Sequence, residues 1–600
     1  MKGSFYLENL KELMNVEYQI GKLLSNDKET VNENANKDSN TFTTRRDLMA
    51  GQVSKAKGLA MLPEKIAQAH IDGDIHFHDL NVSPLVPMTN CCLLDIEGML
   101  ENGFTMGNAD VESPNSINTA VAQMTQAILS VSGEQFGGIS INNIDIILGK
   151  YAEKNYLKHY EDAMSLVDSE EKAKEYAKRK TQKDIYDACQ SSEYEINTLC
   201  SSQGQTPFLT FGFGFGTNWF ETEIQKAILE VRLKGLGKNG KTAIFPKLIF
   251  GLKDGLNLKP SDPNYYIKEL AMKCTSERMY PDYLSSKMIE EITGNVKFPM
   301  GCRSFLGRYV NNVGKEINDG RMNLGVVTLN LVRIALETNT IDEFANVFHD
   351  KVNKLIKPAL EERIKSVKSA QPNNAPILYK QGGFGKKLTD NDNVEELFNN
   401  KRASISFGYI GLYEVATKFF GSEWETNKNA KEFTLDILSE MKNYCDEWSK
   451  EWDIGASVYS TPSEALTDRF CKLDTKKFGL VKDITDKEYY TNSFHYDTRK
   501  KPSPFEKIDF EKDYPKYASG GFIHFVETPS MKQNPKALES IIDYAYDRVG
   551  YFSINSPIDK CFECGFEGDF KATEDGYECP ICKNNNPEKC DVVKRLCGLK

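Results

Sequence analysis

The sequence predicts an α/β fold, a sheet or barrel wrapped by helices, with a helical stretch before it and a small metal-stapled unit after it. Three observations carry this reading. After about residue 205, short apolar, β-rich runs ("TPFLTFGFGF", "TAIFPKLIFGL", "LGVVTLNLVRIAL", "GGFIHFVETP") alternate with helical patterns such as "TIDEFANVFHDKVNKLIKPALEERIK". Strand–helix alternation sustained over such a length marks an α/β architecture. Upstream, "SINTAVAQMTQAILSVSGEQ" repeats its apolar residues at helical spacing. Six of the fourteen cysteines crowd into the last forty residues, which sets the tail apart as its own unit.

A chain of 600 residues exceeds one ordinary core. The expected division is an N-terminal helix and mobile loop over 1–44, a helical region over 45–200 that also starts the barrel, the main α/β part over 201–555 and the cysteine-rich unit over 556–600. "MKGSFYLENLKELMNVEYQIGKLL" reads as an amphipathic helix without a signal-peptide core. The polar run "DKETVNENANKDSNTFT" reads as the loop. From about 45 to 160 the pattern is helical, interrupted by "HFHDLNVSPLVP", and 150–195 reads as one long charged helix with a solvated face. No run approaches membrane-span length, so the expectation is a cytoplasmic protein away from membranes. Its thiols should then be reduced rather than paired in disulfides. A net charge of −11 speaks against wholesale nucleic-acid binding.

"GLGKNGKT", Gly235 to Thr242, fits the phosphate-loop pattern letter for letter. That loop works only between a preceding strand and a following helix, whose N-terminal amides hold the phosphates. Here the order is reversed, with the helical "ETEIQKAILEVRLK" before it and the strand-like "TAIFPKLIFGL" after it. The expectation is a plain glycine-rich loop.

The tail contains Cys561-x-x-Cys564 and Cys579-x-x-Cys582. Two such pairs separated by a short insert are the pattern of a tetrahedral four-cysteine zinc site, in which each pair bends its backbone around one ion. A four-thiolate site is coordinatively closed, hence structural, and it sets the path of the chain beyond it, "VVKRLCGLK". Cys590 is a spare. The knuckle is acidic ("FEGDF", "TEDGYE"), against phosphate contact. A glycine, lacking Cβ and flanked by an amide donor and a carbonyl acceptor, is the residue best suited to hold an unpaired electron on the backbone.

"RLCG" and the knuckle, with "HFHDLNVSP…NCCLLD", "MGCRSFLG", "NLGVVTLNLVRIAL" and "STPSE", resemble the anaerobic (class III) ribonucleotide reductases over nearly the whole chain. The resemblance implies a ten-stranded α/β barrel threaded by a finger loop near 300–304. Its tip, "PMGCRSF", makes Cys302 the transient thiyl. It implies a glycyl radical on Gly598, made by a separate activase that alone carries S-adenosylmethionine and an iron–sulfur cluster; flavin and haem are not expected. It makes Cys91 the hydrogen donor on the other ribose face, Met300 a thioether sharing radical character, and Asn323 the residue that leaves room for formate as reductant. Cys92 is read as a packing residue and Cys597 as incidental.

Thr461, Pro462, Ser463 and Glu464 precede a helical run and so offer exposed amides to an anion. In the family this loop holds the substrate phosphates; Ser460 or Thr461 with Glu464 also fits an ordinary capping box. His76 and His78 share one strand face, with too few partners for a catalytic metal; the resemblance puts them near the substrate. The family's deoxynucleotide and ATP effector site, near a homodimer interface, is expected within 107–160, with Glu112, Gln126 and Lys158 as candidates. Only about forty residues precede the shared region, so no ATP-cone is expected, and Leu599 stands where relatives commonly carry Tyr. The alternatives are another glycyl-radical enzyme (an acyltransferase or dehydratase), which would lack the terminal knuckle, or a zinc-ribbon scaffold that binds nucleic acid.

Overall fold

The computed structural model describes residues 15–25, 41–201, 204–463, 465–573 and 576–594. Gly598, Cys597 and Glu464 lie outside them, as does most of the polar run expected to be a loop. Among the described residues, no helix is long and apolar enough to cross a membrane.

Eleven strands form the central sheet: β1 (Ile75–Phe77), β2 (Cys92–Leu93), β3 (Ile139–Ile141), β4 (Leu209–Phe213), β5 (Lys247–Leu252), β6 (Asp282–Ser285), β7 (Arg321–Asn330), β8 (Ser404–Ile410), β9 (Gly455–Ser460), β10 (His524–Glu527) and β11 (Tyr551–Asn555). Their order is β9-β8-β7-β2-β3-β4-β5-β6-β11-β10, with β1 appended antiparallel to β7. The path closes on itself: Tyr459 and Gly521 form a parallel bridge, with Ser460 N–H donating to the Gly521 carbonyl at 2.9 Å and Gly520 N–H to that of Val458 at 2.9 Å. The ring is therefore a ten-stranded barrel of two parallel halves, β2–β6 and β7–β11. They meet antiparallel at β2/β7 and at β6/β11. Parallel strands need both faces covered, and β4 through β8 are buried along their whole lengths.

The covering layer is helical. It includes α1 (Ile117–Val131), α2 (Ile144–Met164), α3 (Glu170–Thr198), α4 (Trp219–Lys234), α5 (Leu466–Phe478) and α6 (Pro504–Glu511). The charged stretch expected to be one helix is instead most of α2 and nearly all of α3. "SLVDS" breaks it: the Ser169 side chain accepts from Lys172 N–H, and Glu170 and Glu171 occupy the first turn of α3, where carboxylates are favoured.

"GLGKNGKT" is a short hairpin between α4 and β5, with Leu236 and Lys241 bridged. Its phosphate-loop residues are engaged with the C-terminal unit. Lys241 Nζ donates to the Pro587 carbonyl at 2.9 Å, while the Thr242 amide and hydroxyl both donate to Asp591 Oδ2 at 2.9 Å. That unit adds β12 (Asp559–Cys561), β13 (Glu567–Gly568), β14 (Lys571–Thr573), β15 (Gly576–Glu578) and β16 (Cys590–Asp591), arranged as a three-stranded sheet β13-β12-β16 and a hairpin β14–β15.

Candidate active site and metal centre

Between β6 and β7 the chain leaves the wall and runs into the barrel. Its tip is held from several strands. Gly301 N–H donates to Ser140 Oγ of β3 at 2.9 Å, Thr210 Oγ1 of β4 donates to the Gly301 carbonyl at 3.1 Å, and Lys247 Nζ of β5 donates to the Cys302 carbonyl at 3.2 Å. Beyond the tip, Phe305 N–H donates to the Gly520 carbonyl at 2.9 Å and Phe522 N–H to that of Arg303 at 3.0 Å, pinning the loop to the barrel's seam. Met300 and Ser304 pair across the tip, and the turn between them takes Gly301 to φ +57. Left-handed backbone suits glycine there. So does the lack of space, since a Cβ on Gly301 would sit 3.1 Å from Cys91 Sγ.

That distance is the central feature of the site: the fold brings Cys91, on the segment entering β2, against the finger tip beside Cys302. Cys91 packs with Leu93, Met300 and Leu306. Its thiol donates to Asn90 Oδ1 at 3.0 Å and its sulfur accepts from Gly138 N–H at 3.2 Å. Asn90 Nδ2 donates to Asp79 at 2.8 Å, and Asp79 is also held by the buried Arg363 at 2.9 Å, so a half-buried chain of hydrogen bonds orients the thiol. Asn323 of β7 runs opposite Cys91, accepting its neighbour's amide and donating its own. The Asn323 side chain donates to Ser404 Oγ and Ser406 Oγ of β8 at 2.9 Å each and accepts from Gly325 N–H. Cys92 points into the core, where burial pushes its thiol well above the ordinary range. This agrees with its reading as a packing residue.

A second group lies along β1, β7 and the loop after β9. Thr328 Oγ1 bonds His78 Nε2 at 2.8 Å and Thr461 Oγ1 at 2.9 Å, joining two residues the sequence treats separately. The His76 ring lies 4.4 Å from that of His78 and 5.0 Å from that of His70. Arg469, on the first turn of α5, reaches His76 Nδ1 at 3.5 Å and also bonds the His70 carbonyl. Burial, reinforced by Arg469, Lys55 and the neighbouring rings, lowers His70 to about 3 and His76 well below its ordinary value. Burial likewise lowers His78 to about 4, against the opposing pull of Asp79. All three rings are neutral near pH 7. Thr461, Pro462 and Ser463 are buried on this loop, and the N-cap of α5 is Ala465, with no side-chain cap of its own.

The four knuckle cysteines converge. Cys561 and Cys582 sulfurs are 3.5 Å apart, Cys564 and Cys579 sulfurs 3.6 Å, and all four lie within 4.8 Å of one another. A tetrahedral ion with metal–sulfur bonds of about 2.3 Å sets sulfur–sulfur edges of about 3.8 Å, so the donor set fits one such ion. Cys590 pairs with Cys561 in the strand register, and its sulfur faces the Asn584 carbonyl at 3.8 Å, consistent with a spare.

Glu112, Gln126 and Lys158 are exposed, at the end of a small hairpin, on α1 and on α2. No hydrogen bond or ion pair joins them among the described residues. Asn90, Thr328 and Lys247 were not legible as site residues, because single polar residues in apolar runs carry no spacing signal, and Arg469 reads as one more charge on a charged helix.

Fold and site define an α/β barrel threaded by a finger loop whose tip, at Gly301 next to Cys302, meets the Cys91 sulfur. Residues 33–599 match the family model of the anaerobic ribonucleoside-triphosphate reductases. The chain is 49% identical over 572 residues to the anaerobic ribonucleoside-triphosphate reductase of Escherichia coli (strain K12), covering 95% of this chain and 80% of that one. It is 47% identical over 593 residues to that of Enterobacteria phage T4, covering 98% and 96%. The solved anaerobic ribonucleotide reductase from Thermotoga maritima in complex with dATP and CTP shares the fold, with a TM-score of 0.65 at 16% identity, covering 96% of this chain and 94% of that one. The chain belongs to the anaerobic ribonucleoside-triphosphate reductases, oxidoreductases that reduce ribonucleoside triphosphates.

Proposed function

We propose that this chain converts ribonucleoside triphosphates to 2′-deoxyribonucleoside triphosphates by glycyl and thiyl radical chemistry, with formate as reductant. The observation that carries this is the Cys91 sulfur lying against the finger tip next to Cys302. Hydrogen-atom transfer needs reacting groups held in near contact, and two thiols on either side of a bound ribose serve its two faces. A radical on Gly598 takes hydrogen from the Cys302 thiol. The resulting thiyl takes the 3′-hydrogen, and the 2′-hydroxyl leaves as water with a proton delivered from the Cys91 side. Formate supplies two electrons and leaves as carbon dioxide, so the balance is nucleotide, formate and a proton giving deoxynucleotide, water and carbon dioxide. Met300 packs beside Cys91 and shares radical character with it. Asn323, tied to Ser404 and Ser406, leaves formate its space.

The phosphates are held by Thr461, Pro462, Ser463 and Glu464 at the start of α5, with His76 and His78 close to the substrate. The four-cysteine unit holds a structural zinc ion and aims the tail. Chain reach supports this. The seven residues from Asp591 to Gly598 span at most about 25 Å. From Thr242, which holds Asp591, five residues and one lysine side chain lead to the Cys302 carbonyl. A radical-SAM activase makes the radical, the chain works as a homodimer, and deoxynucleotide and ATP effectors act around Glu112, Gln126 and Lys158.

The test is anaerobic activation with the cognate activase, S-adenosylmethionine and an electron donor. A glycine-type EPR doublet, lost in Gly598→Ala, and CTP reduction with one carbon dioxide released per turnover are expected. No doublet, from an activase competent on another partner, would overturn the proposal.

A further inference from the structure

The barrel interior carries an ion pair to which the chemistry above assigns no role. Lys247, the first residue of β5, is 7% exposed, and Asp282, the first of β6, is fully buried. Lys247 Nζ lies 3.3 Å from Asp282 Oδ2 and 5.3 Å over the Tyr551 ring. Asp282 is itself fixed, accepting from Tyr551 Oη at 2.9 Å and from Ser553 Oγ at 2.8 Å, both on β11. The ammonium also donates to the Cys302 carbonyl, at 3.2 Å. Burying an ion pair is a poor route to stability, because apolar residues of the same volume do as well or better. A lysine and an aspartate facing each other in the β5, β6 and β11 wall therefore call for another reason.

We infer that Lys247, aligned by Asp282, Tyr551 and Ser553, is a positioning residue that holds the Cys302 peptide at the height hydrogen-atom transfer requires. This rests on the radical reading of Cys302. The preceding residue, Gly301, is held by two neutral hydroxyls, Ser140 at its N–H and Thr210 at its carbonyl; Lys247 adds a charge-assisted bond, roughly twice as strong as a neutral one. It acts on the backbone of the reacting residue itself.

The experiment compares activated wild type with Lys247→Met and with Lys247→Met/Asp282→Asn, the second leaving no unpaired buried charge and so guarding against misfolding. Glycyl-radical EPR amplitude, kcat and KM for CTP, and the melting temperature are read together. On the proposed activation of Gly598 by a separate protein, the double variant is expected to keep the wild-type radical amplitude and a KM within twofold, while kcat falls tenfold or more. Tyr551→Phe, which removes one hydrogen bond from Asp282, should lower kcat by a smaller factor at unchanged KM. A double variant with wild-type kcat overturns the inference, as does a fall in radical amplitude and melting temperature that accounts for the whole loss. A wild-type chain that forms no radical overturns the underlying radical reading and this inference with it; a working wild type with an unaffected double variant overturns this inference alone.

Discussion

Thr242 grips Asp591 twice, through its amide and its hydroxyl, each at 2.9 Å. Asp591 is almost fully buried and stands in β16, nine residues after Cys582. This contact joins the cysteine unit to the barrel at the one place where the chain continues toward Gly598. The loop that imitates a nucleotide-binding motif is thus a docking cradle, and its lysine is spent on the Pro587 carbonyl.

Thr242→Val should weaken that dock without touching the knuckle. Removing one hydrogen bond from a buried carboxylate costs about 1–3 kcal/mol. Proteolysis within 556–600 and loss of metal to a chelator should then speed up by a factor of about 5 to 150. Unchanged rates of both would show that the dock contributes nothing. Lys241→Ala should leave nucleotide binding intact.

Metal removal should act on the tail and leave the barrel standing. The unit's own core is small, Phe570 with Cys561, Cys579 and Cys590, too little apolar area to fold without a staple. Cys564→Ser, or chelation of the wild type, should abolish reduction while far-UV circular dichroism and the main unfolding transition persist. Loss of the main transition would mean that the unit holds the barrel together.

Acid should destabilise the β1 edge of the barrel before it inactivates any thiol. His70 is lowered to about 3 and His78 to about 4, with His76 well below its ordinary value. Their folded values lie beneath the unfolded value of about 6.5, so the unfolded chain binds protons that the folded chain refuses. Their contribution is complete above about pH 6.5 and declines as pH falls toward 4, by up to about 1.4 kcal/mol per histidine per pH unit. Urea midpoints at pH 7.5, 6 and 5 should fall in that order, and His78→Gln should flatten the slope. An unchanged slope in that variant would show that His78 titrates normally.

Gly408 of β8 leaves the room that the Thr328–Thr461 bond occupies. A Cβ there would stand 2.2 Å from Thr461 Oγ1 and 2.3 Å from Thr328 Oγ1. Gly408→Ala should cost about 1–3 kcal/mol by overpacking and, on the proposed phosphate role of Thr461, raise KM for CTP. A stability loss at unchanged KM would separate this bond from substrate binding.

Much of the barrel was legible because its strands are long apolar runs punctuated by helical periodicity, and the knuckle because metal ligation demands a fixed spacing. β2 and β3 were not legible. They are two and three residues long, too short for any period to register, yet they carry Cys91 and the Ser140 anchor into the barrel. The 150–195 segment was misread as one helix because a five-residue break inside a charged run leaves no change in composition, only a serine cap.

By itself the sequence determined the strand–helix alternation, the cysteine quartet and, through the motifs it shares with its family, the chemistry expected of Cys302, Cys91 and Gly598. These are properties of residue type and local spacing. Tertiary structure decided what meets what: that Cys91 and the finger tip share one contact, that His78 and Thr461 are joined through Thr328, that a phosphate-loop lookalike cradles Asp591, and that Lys247 reaches the Cys302 carbonyl. Each of these pairs except the Lys247 contact is separated by more than two hundred residues along the chain, and even Lys247 lies fifty-five residues from its partner. Nothing local links such residues; only closure of the ten-stranded ring, driven by burial of both faces of its strands, brings them within reach of one another.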